Sequence, residues 1–265
     1  MTRTYRIAVL ECDTPFPSVN EKRGSYGDIF RDLLTKGLKN EALGDKGKDV
    51  SLDLSKWDVV TAQEYPNIED VDGFLLTGSK HTSFADDPWI LKLVEFVKKI
   101  YTTTEKPIVG ICFGHQIIGR ALGAKVAVSP GGWEVCVDRI NLNETGQKLL
   151  GVSSLVSTTN PFHEASLTKE QGLHQMHRDA VLEVPEGLVS LGSSSRCEVQ
   201  GLYKPGRIIS FQAHPEFDDF IMQEIMEARY AQQIFSKEMY EEGITRARAH
   251  HDGLLVAAKI WEFLL

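Results

Sequence analysis

One short segment holds the residue types best suited to covalent chemistry. Residues 109–116 read Val-Gly-Ile-Cys-Phe-Gly-His-Gln. Cys112 stands where a short apolar run ends and a helical pattern begins, with Gly110 and Gly114 on either side. This is the cysteine counterpart of the Gly-x-Ser-x-Gly nucleophile elbow. The glycines permit a sharp turn and close backbone contact around an exposed side chain. Amides at the start of the following helix favour negative charge, and so favour the thiolate.

A thiol nucleophile needs a base and a group to orient that base. The run Phe211-Gln212-Ala213-His214-Pro215-Glu216-Phe217 offers both. His214 and Glu216 are two apart, so in extended chain they project to one side. Pro215 biases His214 towards that conformation. His214 would take the Cys112 proton and return it to a leaving amine, while Glu216 would fix the ring tautomer. Acyl transfer also needs donors for a developing oxyanion. The backbone N–H of Phe113, next after the nucleophile, supplies one. Gly78, at the end of the apolar run Phe74–Thr77, is the candidate for the second. A lone cysteine in an apolar segment is ordinarily a core residue. The flanking glycines and the His-Pro-Glu segment set Cys112 apart, whereas Cys12, Cys136 and Cys197 read as packing residues.

These residues must be carried by elements that bring them together. Ile7–Leu10, Val59–Ala62, Phe74–Thr77 and Pro107–Ile111 read as strands, the short apolar runs of a buried parallel sheet. A loop containing Pro15 and Pro17 follows the first. Tyr26, Ile29, Phe30, Leu33 and Leu34 repeat at helical spacing. Residues 40–49 read as a surface loop. Asp87-Pro88 opens a helix whose buried stripe is Ile90, Leu91, Val94, Val97 and Tyr101. His115–Leu122 is the helix after the elbow, closed by Gly123. Lys125–Val128, Val135–Asn141, Leu188–Leu191, Val199–Tyr203 and Arg207–Phe211 read as strands, the last two joined at Lys204-Pro205-Gly206. Residues 153–172 read as a Ser/Thr-rich loop. From Asp218 the pattern is helical, with one break near Gly243. The expected fold class is α/β: a mostly parallel twisted sheet with helices on both faces, its active site at the carboxyl ends of the strands. No composition shift marks a boundary, so residues 1–265 read as one domain, with a core over about 5–220 and a helical tail over about 218–265.

The combination resembles the class I glutamine amidotransferases. It rests on Gly-Ile-Cys-Phe-Gly-His-Gln, His-Pro-Glu about a hundred residues later, Asp72-Gly73-Phe74-Leu75-Leu76-Thr77-Gly78-Ser79, and the pair His177 and Asp179. The likeness extends over roughly residues 5–220 and is nearest to the stand-alone GMP-synthetase-like subgroup that includes plant γ-glutamyl peptidases. It implies a flavodoxin-like fold and a Cys112–His214–Glu216 triad. The implied reaction is attack on a γ-glutamyl carbonyl, giving a glutamyl thioester that water resolves. Gln116 is thereby implied near the amino-acid end of the substrate, and His177 and Asp179 either near it or as hydrogen-bonded loop supports. Thr77-Gly78-Ser79-Lys80 stands where many members carry Gly-Gly-Pro. The Ser-Gly-Gly-x-Asp-Ser loop of an ATP-binding synthetase domain does not occur in the sequence. The nitrogen therefore goes either to an unidentified synthetase or acceptor subunit or to water, with glutamine or a glutathione-like conjugate as substrate. A third reading is a redox-sensing regulatory protein that keeps the elbow without turnover. Such proteins carry His directly after the Cys; here Phe113 follows Cys112.

Composition narrows the field further. The net charge is −8, with no basic cluster, which argues against nucleic-acid and membrane-surface partners. The four cysteines are widely spaced, and His174 and His177 have no third ligand in pattern, so neither a disulfide framework, a metal nor a cofactor is expected. The N-terminus lacks a signal-peptide pattern, and a reducing, cytoplasmic setting fits a free Cys112.

Overall fold

The structure, a computed structural model, describes residues 3–152 and 172–265. In chain order the elements are β1 (Arg3–Glu11), α1 (Pro17–Arg23), α2 (Tyr26–Leu38), β2 (Val50–Asp58), β3 (Gly73–Leu76), α3 (Pro88–Thr103), β4 (Ile108–Ile111) and α4 (Phe113–Ala121). There follow β5 (Val126–Val128), β6 (Glu134–Asp138), β7 (Asn141–Leu142), α5 (Glu144–Leu150), β8 (Leu173–His177), β9 (Asp179–Val181), β10 (Val189–Ser190) and β11 (Gly192–Ser193). The chain closes with β12 (Gly201–Lys204), β13 (Ile208–Phe211), α6 (Asp219–Ala231), α7 (Lys237–Arg246) and α8 (Gly253–Leu264). Among these residues no helix is long and apolar enough to cross a membrane.

Seven strands form the central sheet in the order β10-β12-β13-β4-β3-β1-β2. Pairing is parallel from β2 to β13, and antiparallel where β12 and β10 extend the edge. Alternation along the strands sorts side chains to two faces. Ile7, Val9, Leu75, Val109 and Ile209 join Phe30, Leu34 and Trp261 on one side. Ala8, Leu10, Phe74, Leu76 and Ile108 join Ile90, Leu93, Val97, Ile117 and Ile118 on the other. Both faces are thus covered, and continuous apolar strands follow. Helix α8 belongs to the first face: Trp261 is fully buried and donates its indole N–H to the carbonyl of Leu34 at 2.8 Å.

The registers deliver the site. Leu76 lies opposite Gly110, and Gly110 opposite Ser210. Two residues beyond these, Gly78, Cys112 and Gln212 come level at the carboxyl edge. Cys112 itself donates its backbone N–H to Phe211 at 2.8 Å, extending the ladder one step past β4.

Several local expectations shift. Val59–Ala62 is a turn, and the second strand is β2, one element earlier in the chain. An edge strand with partly buried side chains on both faces lacks the apolar run that marks a buried one. Pro17 starts α1 rather than lying in a loop, as suits a residue with no N–H to leave unpaired. The stretch 40–49 contains 3-10 turns over Glu41–Gly47, begun by the Asn40 side chain accepting from Ala42 at 2.9 Å. The buried stripe of α3 is Trp89, Ile90, Leu93, Val97 and Ile100, while Leu91 is 41% exposed. Asp87 caps α3 through its backbone carbonyl rather than its side chain. Val135–Asn141 divides into β6 and β7. The C-terminal region breaks twice, around 232–236 and 247–252, whereas Gly243 lies inside α7. A methyl group there would meet Met226 Cε at 2.6 Å, so this glycine marks close helix packing. The Ser/Thr-rich stretch lies, but for Gly172, outside the described residues.

Candidate active site

Cys112 sits at the N-cap of α4 with φ 50° and ψ −102°, a conformation that non-glycine residues rarely adopt. The cysteine itself, rather than its flanking glycines, takes the strained turn. Gly110 and Gly114 serve a different need. A Cβ on Gly114 would lie 2.5 Å from the Leu76 carbonyl oxygen, and one on Gly110 2.8 Å from that of Gly114. Their absence lets α4 start directly against β3, and the Gly114 N–H donates to Thr77 at 3.1 Å. The turn holds the Cys112 sulfur at the cavity floor, although the residue is only 4% exposed.

His214 and Glu216 follow β13, where the chain leaves the sheet. The His214 backbone N–H donates to His174 at 2.8 Å, and the ring stacks on Phe217 with centroids 4.0 Å apart. Nδ1 of His214 donates to Oε1 of Glu216 at 2.7 Å, which leaves Nε2 free of the carboxylate, and the Cys112 sulfur is close enough to act on the ring. Burial works against a charged ring, but the Glu216 carboxylate and the Cys112 sulfur outweigh it and push the His214 pKa up to about 10. A charged His214 beside a thiolate is the arrangement that favours nucleophilic sulfur.

Gly78 faces this pair. A methyl group on it would sit 2.6 Å from His214 Cε1, so only glycine fits. Among the described residues, neither the Gly78 nor the Phe113 backbone N–H is engaged by a hydrogen-bond acceptor. Gln116 is buried, and its amide is fully committed. Its oxygen accepts from Ser83 at 2.8 Å, and its nitrogen donates to the Asp179 carbonyl at 2.7 Å and to Gln212 Oε1 at 3.0 Å. Gln212 in turn donates to the Cys112 sulfur at 3.6 Å. Neither Gln212 nor Ser83 stood out in the sequence. Gln212 lies two residues before His214, a position whose side chain points to the same side in extended chain, and that was the available signal.

Two cavities meet over these groups. One of about 240 Å³ contains Cys112, Gln116, His177 and Asp179. The other, of about 300 Å³, opens on His214. Ser79, Lys80, Met176 and Arg229 border both.

His177 and Asp179 stand at the edge of the first cavity. His177 Nδ1 faces the Asp179 carbonyl at 3.1 Å, and Nε2 lies 2.8 Å from Glu134 Oε2. Burial raises the pKa of the Asp179 carboxyl; Arg178, 3.6 Å away, opposes that shift. Sequence reasoning passed over Glu134 and assigned Cys197 to packing alone. Both are buried beside His177, and each of the three offers a metal-ligand atom within 4.8 Å of the others. The Glu134 oxygens, however, already accept from Ser194 at 2.5 Å and Gln200 at 2.8 Å. His174 lies on β8 and not on a helix, with its ring against His251 at 4.7 Å between centroids. The spacing of His174 and His177 therefore does not place them on one face.

Residues 41–231 match the family described as glutamine amidotransferase class-I. The chain is 32% identical over 273 residues to a glutamine amidotransferase-like protein of Schizosaccharomyces pombe, covering 98% of this chain and 99% of that one. It is 34% identical over 230 residues to gamma-glutamyl peptidase 4 of Arabidopsis thaliana, covering 85% and 80%. A crystal structure of a glutamine amidotransferase from Thermotoga maritima superposes with a TM-score of 0.70 over 98% of each chain, at 17% identity.

Proposed function

The chain belongs to the class I glutamine amidotransferases, and from that premise we propose that it hydrolyses glutamine or another γ-glutamyl amide through a thioester on Cys112. The observation that carries this reading is the His214–Glu216 hydrogen bond with the Cys112 sulfur acting on the same ring, the sulfur held on a strained elbow that lines a cavity. Sulfur attacks the γ-carbonyl carbon. The carbonyl oxygen becomes an oxyanion that accepts from the Gly78 and Phe113 N–H groups. As the C–N bond breaks, His214 Nε2–H protonates the leaving nitrogen, and the thioester remains. His214 then takes a proton from water, whose oxygen displaces the sulfur and releases glutamate. Glu216 holds the ring with Nδ1–H directed at itself and stabilises its charged form.

Gln116, Gln212 and Ser83 form the rigid wall beside the sulfur, and Gln116 acts by holding that wall rather than by reaching freely into the cavity. His177 and Asp179 support the far side from behind the first contacts. A redox-sensing role is not favoured, because a gamma-glutamyl peptidase stands among the relatives and Phe113 rather than His follows Cys112. Rapid-quench mass spectrometry with a γ-glutamyl amide tests the proposal. The expected result is a glutamyl adduct, 129 Da by composition, on the peptide holding Cys112. Turnover without any adduct at that residue, or an adduct elsewhere, overturns it.

A further inference from the structure

Arg229, on α6, borders both cavities and is half-buried. Among the described residues it has no ion pair, and its Nε has no hydrogen-bond partner. Asp13 acts on it through space, but that carboxylate is already held by the side chain and backbone of Lys80. Arg178, the other guanidinium at the site, has Asp179 beside it. A desolvated guanidinium left unpaired is costly, so one at a cleft wall points to an anion supplied by the ligand.

The second cavity says which part of the ligand. It opens on His214, the group that must protonate the departing nitrogen, and its walls include Phe16, Tyr26, Met176, Phe217 and Ile225. Its volume of about 300 Å³ far exceeds the roughly 30 Å³ that a molecule the size of water or ammonia occupies. An ammonia leaving group uses neither the apolar walls nor the cation.

We propose that Arg229 is a specificity-determining residue that binds a carboxylate on the leaving amine. The preferred substrate is then a γ-glutamyl amide of an apolar amino acid or short peptide rather than glutamine. This rests on the hydrolase reading above and adds the identity of the departing half. Bond making is unchanged: the nitrogen still leaves with the His214 proton, and Arg229 holds the far end.

Steady-state kinetics on three substrates tests it: γ-glutamyl-phenylalanine, its C-terminal carboxamide, and glutamine. The acid should exceed the carboxamide in kcat/KM by about 10- to 100-fold, the span of a charge-assisted hydrogen bond, mostly through KM. Arg229→Met should bring the acid-to-carboxamide ratio close to one, and Arg229→Lys should restore part of it. Equal use of acid and carboxamide by the unmodified protein overturns the assignment without any variant. So does a ratio that survives in a folded Arg229→Met. Hydrolysis of none of the three substrates instead overturns the underlying hydrolase reading.

Discussion

Cys112, His214 and Glu216 lie at the cleft; Cys197 and Glu134 lie behind its wall, with His177 at the cavity edge between. The two groupings have the same three residue types and similar burial, but differ in what the histidine and the sulfur are free to do. His177 has both ring nitrogens turned towards acceptors, the Asp179 carbonyl and the Glu134 carboxylate, so neither is available to a thiol. His214 spends only Nδ1 on its carboxylate. Cys197 contacts the Val199 carbonyl, and burial with Glu134 nearby pushes its thiol up to about 12. Glu134 is saturated: burial alone would raise its pKa, but bonds from His177, Ser194 and Gln200 hold it below the usual glutamate value. Glu216 has one oxygen on His214, and its Oε2 is unpartnered among the described residues. One set thus turns its polar groups towards one another and ties three segments together. The other leaves a nitrogen and a sulfur facing open space. Residue type does not separate the two groupings; the spare valence and the cavity do.

The sharpest way to break this contrast is a pair of substitutions. Cys112→Ala should lower kcat by about 10³- to 10⁶-fold, and Cys197→Ala by less than about threefold, as measured on a γ-glutamyl amide. An equal loss from both would erase the distinction. Stability should show the reverse order. Glu134→Leu leaves a buried His177 without its carboxylate and should cost about 3–5 kcal/mol in urea unfolding, against about 1–2 for Glu216→Gln. If Glu216→Gln proved the more destabilising, the cleft grouping would be the structural one.

The smallest effect is a pH dependence. The His214 pKa in the folded state, about 10, lies above the ordinary value of about 6.5. Its pairing therefore adds stability that is complete below about 6.5 and is lost as pH rises through about 10. The urea midpoint should consequently fall more between pH 6.5 and 10 in the parent protein than in His214→Gln. Parallel curves would mean that His214 gains no charge on folding.

Much of the cleft was legible because strand ends and turns leave local marks. Apolar runs before Gly78, Cys112 and His214 placed all three at carboxyl ends, and two-residue spacing joined His214 to Glu216. Strand β2 escaped because an edge strand is only partly buried, so the run at Val59–Ala62 drew attention to a turn. Gln212, Ser83, Glu134 and Arg229 escaped for another reason. Ser83 meets Gln116 across 33 residues and Gln212 meets Cys112 across 100, while Arg229 is marked only by lacking a partner after packing, and no periodicity encodes such outcomes.

By itself, the sequence determined the α/β class and the elbow, and it singled out the candidates for nucleophile, base and orienter. These follow from patterns within a dozen residues, where backbone sterics and alternation act. Tertiary structure alone decided that Cys112 rather than its glycines bears the strain, that Gln116 is locked in a network, that His177 belongs to Glu134, and that Arg229 faces the cleft without a partner. Those outcomes depend on which atoms compete for each donor and charge after distant segments pack, and burial fixes that competition only when the sheet registers have formed.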